Sequence, residues 1–481
     1  MSVERDSRQA SVTGFILFST VVASLASLNI GWNTGVTNIP EQVIRQCSEA
    51  DEDGMPSSLC VENNLTWGLA VGLFAIGGLF GGLTAGLAAN RFGRRPVLLV
   101  NNLFYILGGI VLAVSPNVAM LAFGRVLTGL GCGVSSVVVS TFIGEIASSR
   151  NRGALGSMLQ LSLNIGILIT QTVGLGFDYA PGWRVLLAMT SIPAVIQILL
   201  LFGCVESPRW LASKGRFDEA HQALQRLRMG YDIEEEFKEM TRAHRAIESP
   251  DEKAQLEDLE QPHHSFGATS TYSVFDLVRG RAGPILRRHL FISIFLHMSQ
   301  QLTGINGVIF YSTATFTSSF GDSAKYVTIG AVGGLGVIVT AISLMLVDRL
   351  GRKKLLFTSA LGMALSSTLL VVGSATGTDP LVLVAVMLFV TFFGVGLGPI
   401  PFLIVSELFP TNAVGAASSV AIGINYLCNF TVGFVFPFVV SALGNFAFVP
   451  YAIIGYIAAV LILLFVPETK GKSLEEITSG R

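Results

Sequence analysis

The chain has 481 residues, of which 51% are hydrophobic and 13% charged, with a formal net charge of −1. Soluble domains carry about 25% charged residues, so this composition excludes an ordinary soluble protein. The nearly neutral charge gives no sign of a nucleic-acid partner. The 52 glycines are better tolerated in membrane helices, where they let helix backbones approach closely. The composition therefore predicts a membrane protein.

Residues 1–11 are polar, and the first apolar run, from about Val12, is too long for the hydrophobic region of a cleaved signal peptide. Apolar stretches of spanning length, about 20 residues, then recur along the chain. We predict twelve spans, at about 12–33, 66–89, 97–115, 118–142, 154–175, 184–205, 287–313, 324–347, 354–375, 380–405, 413–440 and 446–466. The predicted fold class is an all-α membrane protein.

Charge asymmetry predicts the orientation of these spans. Arginine and lysine follow spans 2, 4 and 8, which places those loops in the cytoplasm. The loop after the first span is acidic, so it faces outward or into a lumen. With an even number of spans, the tails at 1–11 and 467–481 are both cytoplasmic. The hydrophilic stretch 206–286 predicts a cytoplasmic linker with short helices, disordered at 248–264.

The second part of the chain repeats motifs of the first at a constant spacing. NRFGRR at 90–95 returns as DRLGRK at 348–353, GEI at 144–146 as SEL at 406–408, and ESP at 206–208 is echoed by PET at 467–469. Two six-span halves, 12–205 and 287–466, with the same topology predict a pseudo-two-fold bundle. Sites in such bundles lie at the interface between the halves.

Four further short motifs lie along the chain. They are RGALG at 152–156, ESPR at 206–209, QQLTGIN at 300–306 and PETKG at 467–471. With the repeated RFGRR loop they resemble the signatures of the sugar porter family of the major facilitator superfamily, from about Gly14 to the end. GWNTG at 31–35 resembles the first-span motif of the facilitative glucose transporters. The resemblance implies a sugar transporter working by alternating access, in closest pattern a facilitative hexose uniporter.

Amide side chains inside the spans are the candidate substrate ligands. A buried amide needs hydrogen-bond partners, and amides both donate and accept, which suits sugar hydroxyls. The alternative is interhelical hydrogen bonding, worth about 0.6 kcal/mol on average. Because seven amides from both halves resemble the family's sugar ligands, we favour a binding site. Aromatic rings such as Phe310, Phe393 and Tyr426 are candidates to cover the sugar. The predicted substrate-binding set is Gln160, Gln171, Gln300, Gln301, Asn306, Phe402, Asn425 and Asn429.

Three positions depart from the family pattern. The family's asparagine in span 8 falls on Gly336, its glutamate in span 10 on Gly394, and its tryptophan in span 10 on Phe402. We expect a pocket that is roomier and less polar on its second-half side. Hexose, pentose, polyol and inositol substrates all remain open.

Charged residues at the cytoplasmic span ends form the predicted gating set. Carboxylates of each half can pair with arginines of the same half, and pairs that form only when the inner face closes would stabilise the outward-open state. The alternative is that the basic loops only hold orientation. The family's arginine after the second-half glutamate is Val414 here, which weakens that pairing. The set is Arg94, Arg95, Glu145, Arg152, Glu206, Arg209, Arg352 and Glu407.

The acidic outer loop holds two candidate modifications. Cys47 and Cys60 lie together on the oxidising side, and we predict a disulfide rather than free thiols, worth about 3 kcal/mol for so short a loop. Asn64-Leu65-Thr66 is an acceptor sequon for glycosylation.

Two residues bear on proton coupling. Proton-coupled relatives carry an aspartate in the first-span motif, facing an arginine in span 4, and here these positions are Asn33 and Arg125. Asparagine cannot titrate, so we expect transport without a driving ion. His297 shares a helix face with Gln300 and Gln301, and it leaves a proton-coupled sugar or polyol symporter as the alternative.

The remaining expectations are general. A non-transporting sugar sensor on this scaffold is a second alternative, but such sensors carry a long cytoplasmic tail, and this chain ends 14 residues after Pro467.

No metal cluster or nucleophile–base pair is found, so we expect no enzyme, no metal and no cofactor. The expected partners are a small sugar and the lipid bilayer, with no nucleic acid. We expect a monomer, in the plasma membrane rather than a vacuolar or other internal membrane.

Overall fold

The computed structural model describes residues 12–47, 58–61, 63–148, 151–248, 272 and 274–470. The disorder predicted for 248–264 lies almost wholly outside these residues. The described chain is helical. The first part contains α1 (Gly14–Gly35), α2 (Glu41–Arg45), α3 (Asn64–Phe92), α4 (Arg94–Ala113), α5 (Val118–Ile146), α6 (Arg152–Gly176), α7 (Gly182–Ala188) and α8 (Ser191–Leu201).

Short helices follow in the hydrophilic stretch. They are α9 (Pro208–Ser213), α10 (Phe217–Leu227), α11 (Glu234–Glu248) and α12 (Val274–Val278). Arg228, after α10, ties this stretch to the end of α5. It donates to the carbonyl oxygen of Ile146 at 2.8 Å and pairs with Glu236 at 2.9 Å. The helical stretch therefore packs beneath the first group of membrane helices.

The second part of the chain contains α13 (Pro284–Leu302), α14 (Ile305–Phe320), α15 (Ala324–Thr328), a π-helical segment (Ile329–Gly334), α16 (Leu335–Leu350), α17 (Arg352–Thr376), α18 (Asp379–Val395), α19 (Ile400–Leu408), α20 (Thr411–Leu443) and α21 (Val449–Phe465). Short 3₁₀ turns lie at Gly321–Ser323 and Gly444–Phe446. Polar side chains begin several membrane helices. Thr13 caps α1, Asn63 caps α3 and Asn117 caps α5, each accepting from a first-turn amide.

Ten helices of the described chain are long and apolar enough to cross a membrane. They are Gly14–Gly35, Leu65–Phe92, Arg94–Ala113, Val118–Ile146, Gly153–Gly176, Gly182–Leu201, Ala324–Val347, Arg352–Thr376, Asp379–Leu408 and Ala413–Phe446. Each overlaps one of the predicted spans. The predicted span 446–466 appears as the shorter apolar helix Val449–Phe465.

Span 7, predicted at 287–313, is divided between α13 and α14 at Gly304, the glycine between Gln300 and Asn306 where the sequence favours an opening of the helix. Gly304 lies between the two helices with φ +95°, a left-handed conformation that glycine adopts without a Cβ clash. Three other predicted spans contain irregularities: a break after Ala188, the π-helical segment, and a break at Gly396–Pro399. Hydropathy measures length and polarity, so it detected the spans but not these interruptions.

The two copies of the repeated loop motif, at 90–95 and 348–353, share one backbone conformation at their glycine. Gly93 and Gly351 both adopt positive φ, +99° and +90°, and each ends one membrane helix and starts the next. Glu206 accepts the backbone N–H groups that follow Gly93, and Glu468 those that follow Gly351. The helix-to-helix turn is therefore built twice in the same way.

The helices of the first part pack closely against one another and against the second part. α3 packs along α5 and α20, and α1 packs along α6. At one crossing the backbone N–H of Gly86 donates to the hydroxyl of Ser419 at 3.0 Å. At another, the hydroxyl groups of Ser136 and Tyr426 lie 3.1 Å apart. A cavity with polar side chains in its lining lies where the two parts meet, and Ser136 and Tyr426 are among the residues that line it.

Candidate functional site

A cavity of about 60 Å³ lies between the two parts of the chain. Seven of the eight residues predicted to bind substrate line it, six of them from the second part. Its lining comprises Ile30, Thr34, Phe74, Ser136, Gln160, Leu163, Gln300, Gln301, Ile305, Asn306, Ile309, Phe393, Phe402, Asn425, Tyr426 and Asn429. A space of this size holds a few water molecules, so a larger ligand requires the lining side chains to move apart.

Four amides of the lining form one hydrogen-bond network. Asn425 Nδ2 donates to Gln300 Oε1 at 2.7 Å, and Gln301 Nε2 donates to Asn425 Oδ1 at 3.0 Å. Asn306 donates to Gln301 Oε1. All four side chains are at least 93% buried. The network concentrates donors and acceptors on one wall, which is the arrangement that hydroxyl groups of a polar ligand need.

Gln300 also fixes the backbone next to the cavity. Its Nε2 donates to the carbonyl oxygens of Leu397 and Gly398, both at 2.8 Å. These carbonyls lie in the break between α18 and α19, where no regular helix provides them with a donor. Gln300 therefore links the divided span 7 to the break between α18 and α19.

Gln171 does not line the cavity, contrary to the prediction. It lies on α6 beside Gly333, eleven residues after Gln160, which corresponds to about 16 Å along a helix. The side chain is fully buried, and within the described chain its amide nitrogen and oxygen have no hydrogen-bond partner. The amide pattern indicated the correct helix, but it did not distinguish depth along that helix.

Asn164 is a site residue that the sequence reasoning missed. It lies one turn after Gln160, whose Nε2 donates to its Oδ1 at 3.2 Å. Asn164 Nδ2 donates to Thr340 Oγ1 at 2.7 Å and to the carbonyl oxygen of Gly336 at 3.2 Å. The i,i+4 spacing from Gln160 was the signal that could have revealed it.

A smaller cavity of about 20 Å³ adjoins the first and shares part of its lining. Asn164, Gly336 and Gly394 all line it, so two of the three departures from the family pattern lie at this place. The glycines remove side chains from the second part of the chain, while Asn164 brings an amide from the first. On this side the second part therefore contributes glycines in place of two side chains, and the first part contributes an amide.

His297 and Asn33 lie near the cavity without lining it. His297 Nδ1 is 3.2 Å from Asn425 Nδ2, its ring packs edge-on against Phe402 with centroids 5.1 Å apart, and its Nε2 has no partner within the described chain. Asn33 donates to the carbonyl oxygen of Asn29 at 2.9 Å. Arg125 donates to the carbonyl oxygen of Asn33 at 2.6 Å, so it contacts this residue through the backbone.

Two buried ion pairs join helices at the opposite end from the disulfide loop. Arg94 lies 2.7 Å from Glu145, with side chains only 2% and 5% exposed, and Arg352 lies 2.8 Å from Glu407. Each pair connects helices within one part of the chain. The hydroxyl of Thr469 also donates to Glu407, at 2.6 Å.

Glu206 does not pair with an arginine side chain in the way expected. Its carboxylate accepts the backbone N–H groups of Arg94 and Arg95, both at 3.1 Å, and that of Ser207 at 2.8 Å. Burial raises the pKa of Glu206, and these amide donors oppose that rise. The Arg95 guanidinium instead donates to the carbonyl oxygens of Leu201 and Phe202.

The last two residues of the predicted gating set are Arg209 and Arg152, and they are described by position alone. Arg209 lies half-buried on α9. Arg152 begins α6, and its side chain lies outside the described residues.

The other end of the bundle carries the predicted modification sites and a further contact between the two parts. Cys47 and Cys60 form a disulfide. Asn64 begins α3, and its side chain lies outside the described residues. Lys325, on α15, forms an ion pair with Asp178, which follows α6.

Membrane-length helices around a buried, amide-lined cavity define a multi-pass membrane protein of the transporter type. A family model described as "Sugar (and other) transporter" matches residues 19–480. The facilitated glucose transporter member 3 of solute carrier family 2 from Oryctolagus cuniculus is 39% identical over 484 residues, covering 97% of this chain and 92% of the relative. The Homo sapiens protein of the same name is 37% identical over 483 residues, with the same coverage. The chain belongs to the sugar transporter family.

Solved structures agree with this assignment. The proton:xylose symporter XylE bound to 6-bromo-6-deoxy-D-glucose is 26% identical, with a TM-score of 0.79 over 98% of this chain and 99% of that one. The inward-open form of XylE from E. coli is 27% identical, with a TM-score of 0.69 over 97% and 99%. The fold is thus that of a major facilitator transporter, and the expectation of a transporter rather than an enzyme is confirmed by the relatives.

Proposed function

We propose that this protein is a facilitative hexose transporter that works by alternating access. The observation that carries the proposal is the amide-lined cavity, to which both parts of the chain contribute. Relatives named facilitated glucose transporters, at 37% and 39% identity over nearly the whole chain, support a hexose as substrate. Gln160, Asn429 and the four networked amides would bind sugar hydroxyls, with Phe402 against the ring.

Binding at such a site exchanges one set of hydrogen bonds for another. Sugar hydroxyls would replace bonds that the amides make with each other, such as that from Asn425 to Gln300. The net gain from each exchange is small, about 0.5–1.5 kcal/mol, and part of it offsets the loss of ligand freedom. A millimolar complex needs only about −4 kcal/mol, and weak binding allows release on the far side.

We propose twelve spans in two six-span halves, 12–205 and 287–466, joined by the linker 206–286. In this arrangement α13 and α14 together form span 7, and α21 forms span 12. Arginine and lysine at the ends of spans 2, 4 and 8 support cytoplasmic placement of the linker and of the tails 1–11 and 467–481. We further propose a monomer in the plasma membrane.

Gating follows from the contacts at the two ends. We propose that the Arg94–Glu145 and Arg352–Glu407 pairs hold each half rigid at the cytoplasmic end when that end is closed. The higher TM-score to sugar-bound XylE than to its inward-open form supports this state. Arg95, Arg152, Glu206 and Arg209 would complete these clusters. On the outer side, the Cys47–Cys60 disulfide and a glycan on Asn64 belong to the same proposal.

A proton-coupled symporter is the second candidate. Two observations favour it: the likeness to a proton:xylose symporter and the contact of His297 with Asn425. The first-span position argues against it, because Asn33 cannot titrate. A uniporter equilibrates its substrate, whereas a symporter accumulates it when a proton gradient is present.

The experiment is uptake of labelled glucose, xylose, fructose and inositol by the purified protein in liposomes, with and without an inward proton gradient. We expect hexose uptake that stops when the two concentrations match, with no effect of the gradient. Accumulation above the external concentration, abolished by an uncoupler, would establish the symporter. His297→Gln would then test the coupling residue, with His289→Gln as the matched control on the same helix.

A further inference from the structure

A groove of about 640 Å³ lies on the surface of the helix bundle, far larger than either internal cavity. It runs between the start of α13 and the end of α21. Its apolar wall includes Phe291, Leu461 and Phe465, and the two phenylalanines are each 55% exposed. None of its lining residues lines the amide cavity. Apolar side chains exposed on a membrane helix face the lipid chains.

Three arginines line the same groove: Arg279, Arg287 and Arg288. The neighbouring carboxylate of Asp276 lies 3.7 Å from a different arginine, Arg281. Among the residues that the structure describes, none of the three groove arginines has an ion-pair partner. Within the described residues, the groove therefore combines an apolar wall with three arginines that have no carboxylate partner.

The turn before α13 places these charges at the edge of the apolar wall. Gly280 and Gly283 adopt positive φ, +74° and +99°, and the N–H of Gly283 donates to the carbonyl oxygen of Gly280 at 3.0 Å. This tight turn brings Arg279 back towards the first turn of α13. The Arg287 guanidinium lies 5.6 Å from the ring centroid of Phe291, one helical turn further into the apolar wall.

We propose that this groove binds a single anionic phospholipid of the membrane. Guanidinium groups hold phosphate through paired, charge-assisted hydrogen bonds, and the three arginines would take the headgroup. The acyl chains would lie along Phe291, Leu461 and Phe465. Basic pockets between membrane helices are suited to anionic headgroups. A simpler explanation for the three arginines is a diffuse belt of positive charge that only sets the orientation of the helices in the membrane. That explanation does not require the apolar wall beside the arginines, whereas a bound lipid does.

The test compares phospholipids with the same acyl chains on the purified full-length protein in detergent. Native mass spectrometry measures retention of dioleoyl phosphatidylglycerol and of dioleoyl phosphatidylcholine. We expect the wild type to retain phosphatidylglycerol preferentially. Arg279→Gln/Arg287→Gln/Arg288→Gln should weaken that binding at least about tenfold, since each basic residue near an anionic lipid contributes about fivefold. The headgroup alone, as glycerol phosphate, should not compete.

A matched control removes equal charge at the same end of the bundle, outside the groove. Arg349→Gln/Lys353→Gln/Lys354→Gln should change phosphatidylglycerol retention by less than about twofold, because these residues do not line the groove. Thermal unfolding in detergent establishes that each variant is folded. If the groove triple variant does not fold, the three single substitutions give the same comparison, each with a smaller effect.

Leu461→Trp tests the apolar wall without changing any charge. The larger ring fills part of the groove, so we expect weaker retention of phosphatidylglycerol with all arginines present. Equal losses in the groove and control triple variants, or full retention in Leu461→Trp, would overturn the proposal in favour of the diffuse belt. Competition by glycerol phosphate would overturn it in favour of a site for soluble phosphate.

Discussion

Gln300 and Gln301 are adjacent cavity amides, but the structure predicts that removing Gln300 costs far more stability than removing Gln301. In Gln300→Ala, the buried carbonyls of Leu397 and Gly398 lose their donor. An unsatisfied buried polar group costs about 1–3 kcal/mol, so two cost about 2–6 kcal/mol. We expect a clearly lower midpoint of thermal unfolding and reduced abundance, in addition to weaker transport.

Within the described residues, the side chain of Gln301 bonds only to other amides of the lining, namely Gln300, Asn306 and Asn425. Water can replace these bonds in the cavity, so Gln301→Ala should cost less than about 1 kcal/mol of stability. Loss of one neutral hydrogen bond to the sugar, about 0.5–1.5 kcal/mol, should raise KM about 2- to 12-fold. The two effects are therefore separable.

The assay pairs thermal unfolding of the purified variants with the KM for glucose uptake in liposomes. Gln171→Leu is the matched control, because Gln171 is a buried amide outside the cavity. We expect its KM to be unchanged and its stability equal or higher, since the amide has no partner within the described chain. A wild-type unfolding midpoint for Gln300→Ala, or an unchanged KM for Gln301→Ala, would refute the reasoning.

Three further predictions concern contacts away from the cavity. Arg94→Gln leaves Glu145 buried without its partner, so it should cost about 3–5 kcal/mol and lower the unfolding midpoint. An unchanged midpoint would contradict this. Asp178→Lys breaks the ion pair with Lys325 and should slow uptake, and the charge swap with Lys325→Asp should restore it; failure to restore would show that the pairing is unimportant. Cys60→Ser removes the disulfide and should cost about 3 kcal/mol, so reductant should no longer lower the unfolding midpoint.

The sequence predicted the features that depend on composition and spacing. The all-helical membrane class followed from the length and low charge of the apolar runs, and the family followed from repeated motifs such as the loop at Gly93. Six of the seven predicted amides line the cavity, because polar side chains within a membrane helix turn inward. Spacing along the chain was sufficient for these conclusions.

What the sequence left undetermined depends on tertiary contacts. The donors for Glu206 are backbone N–H groups, and a sequence shows only the arginine side chains. Gln171 and Gln160 share a helix, but their depths differ. Asn164 was overlooked because its partners, Gly336 and Thr340, come from a helix far away in the chain. Each case depends on which groups meet across the bundle.

The π-helical segment Ile329–Gly334 has a consequence for chain length. A π turn accommodates one more residue than an α turn within nearly the same rise, so this span contains a residue that a regular helix would not need. Deleting one residue there would leave a span of adequate length. The remaining residues would complete one α turn in place of the π turn, so Gly336 and Thr340 would still face Asn164. The same deletion in a regular α-helical turn would rotate one side of the helix relative to the other by about 100°, so the π segment makes this span tolerant of the loss of one residue.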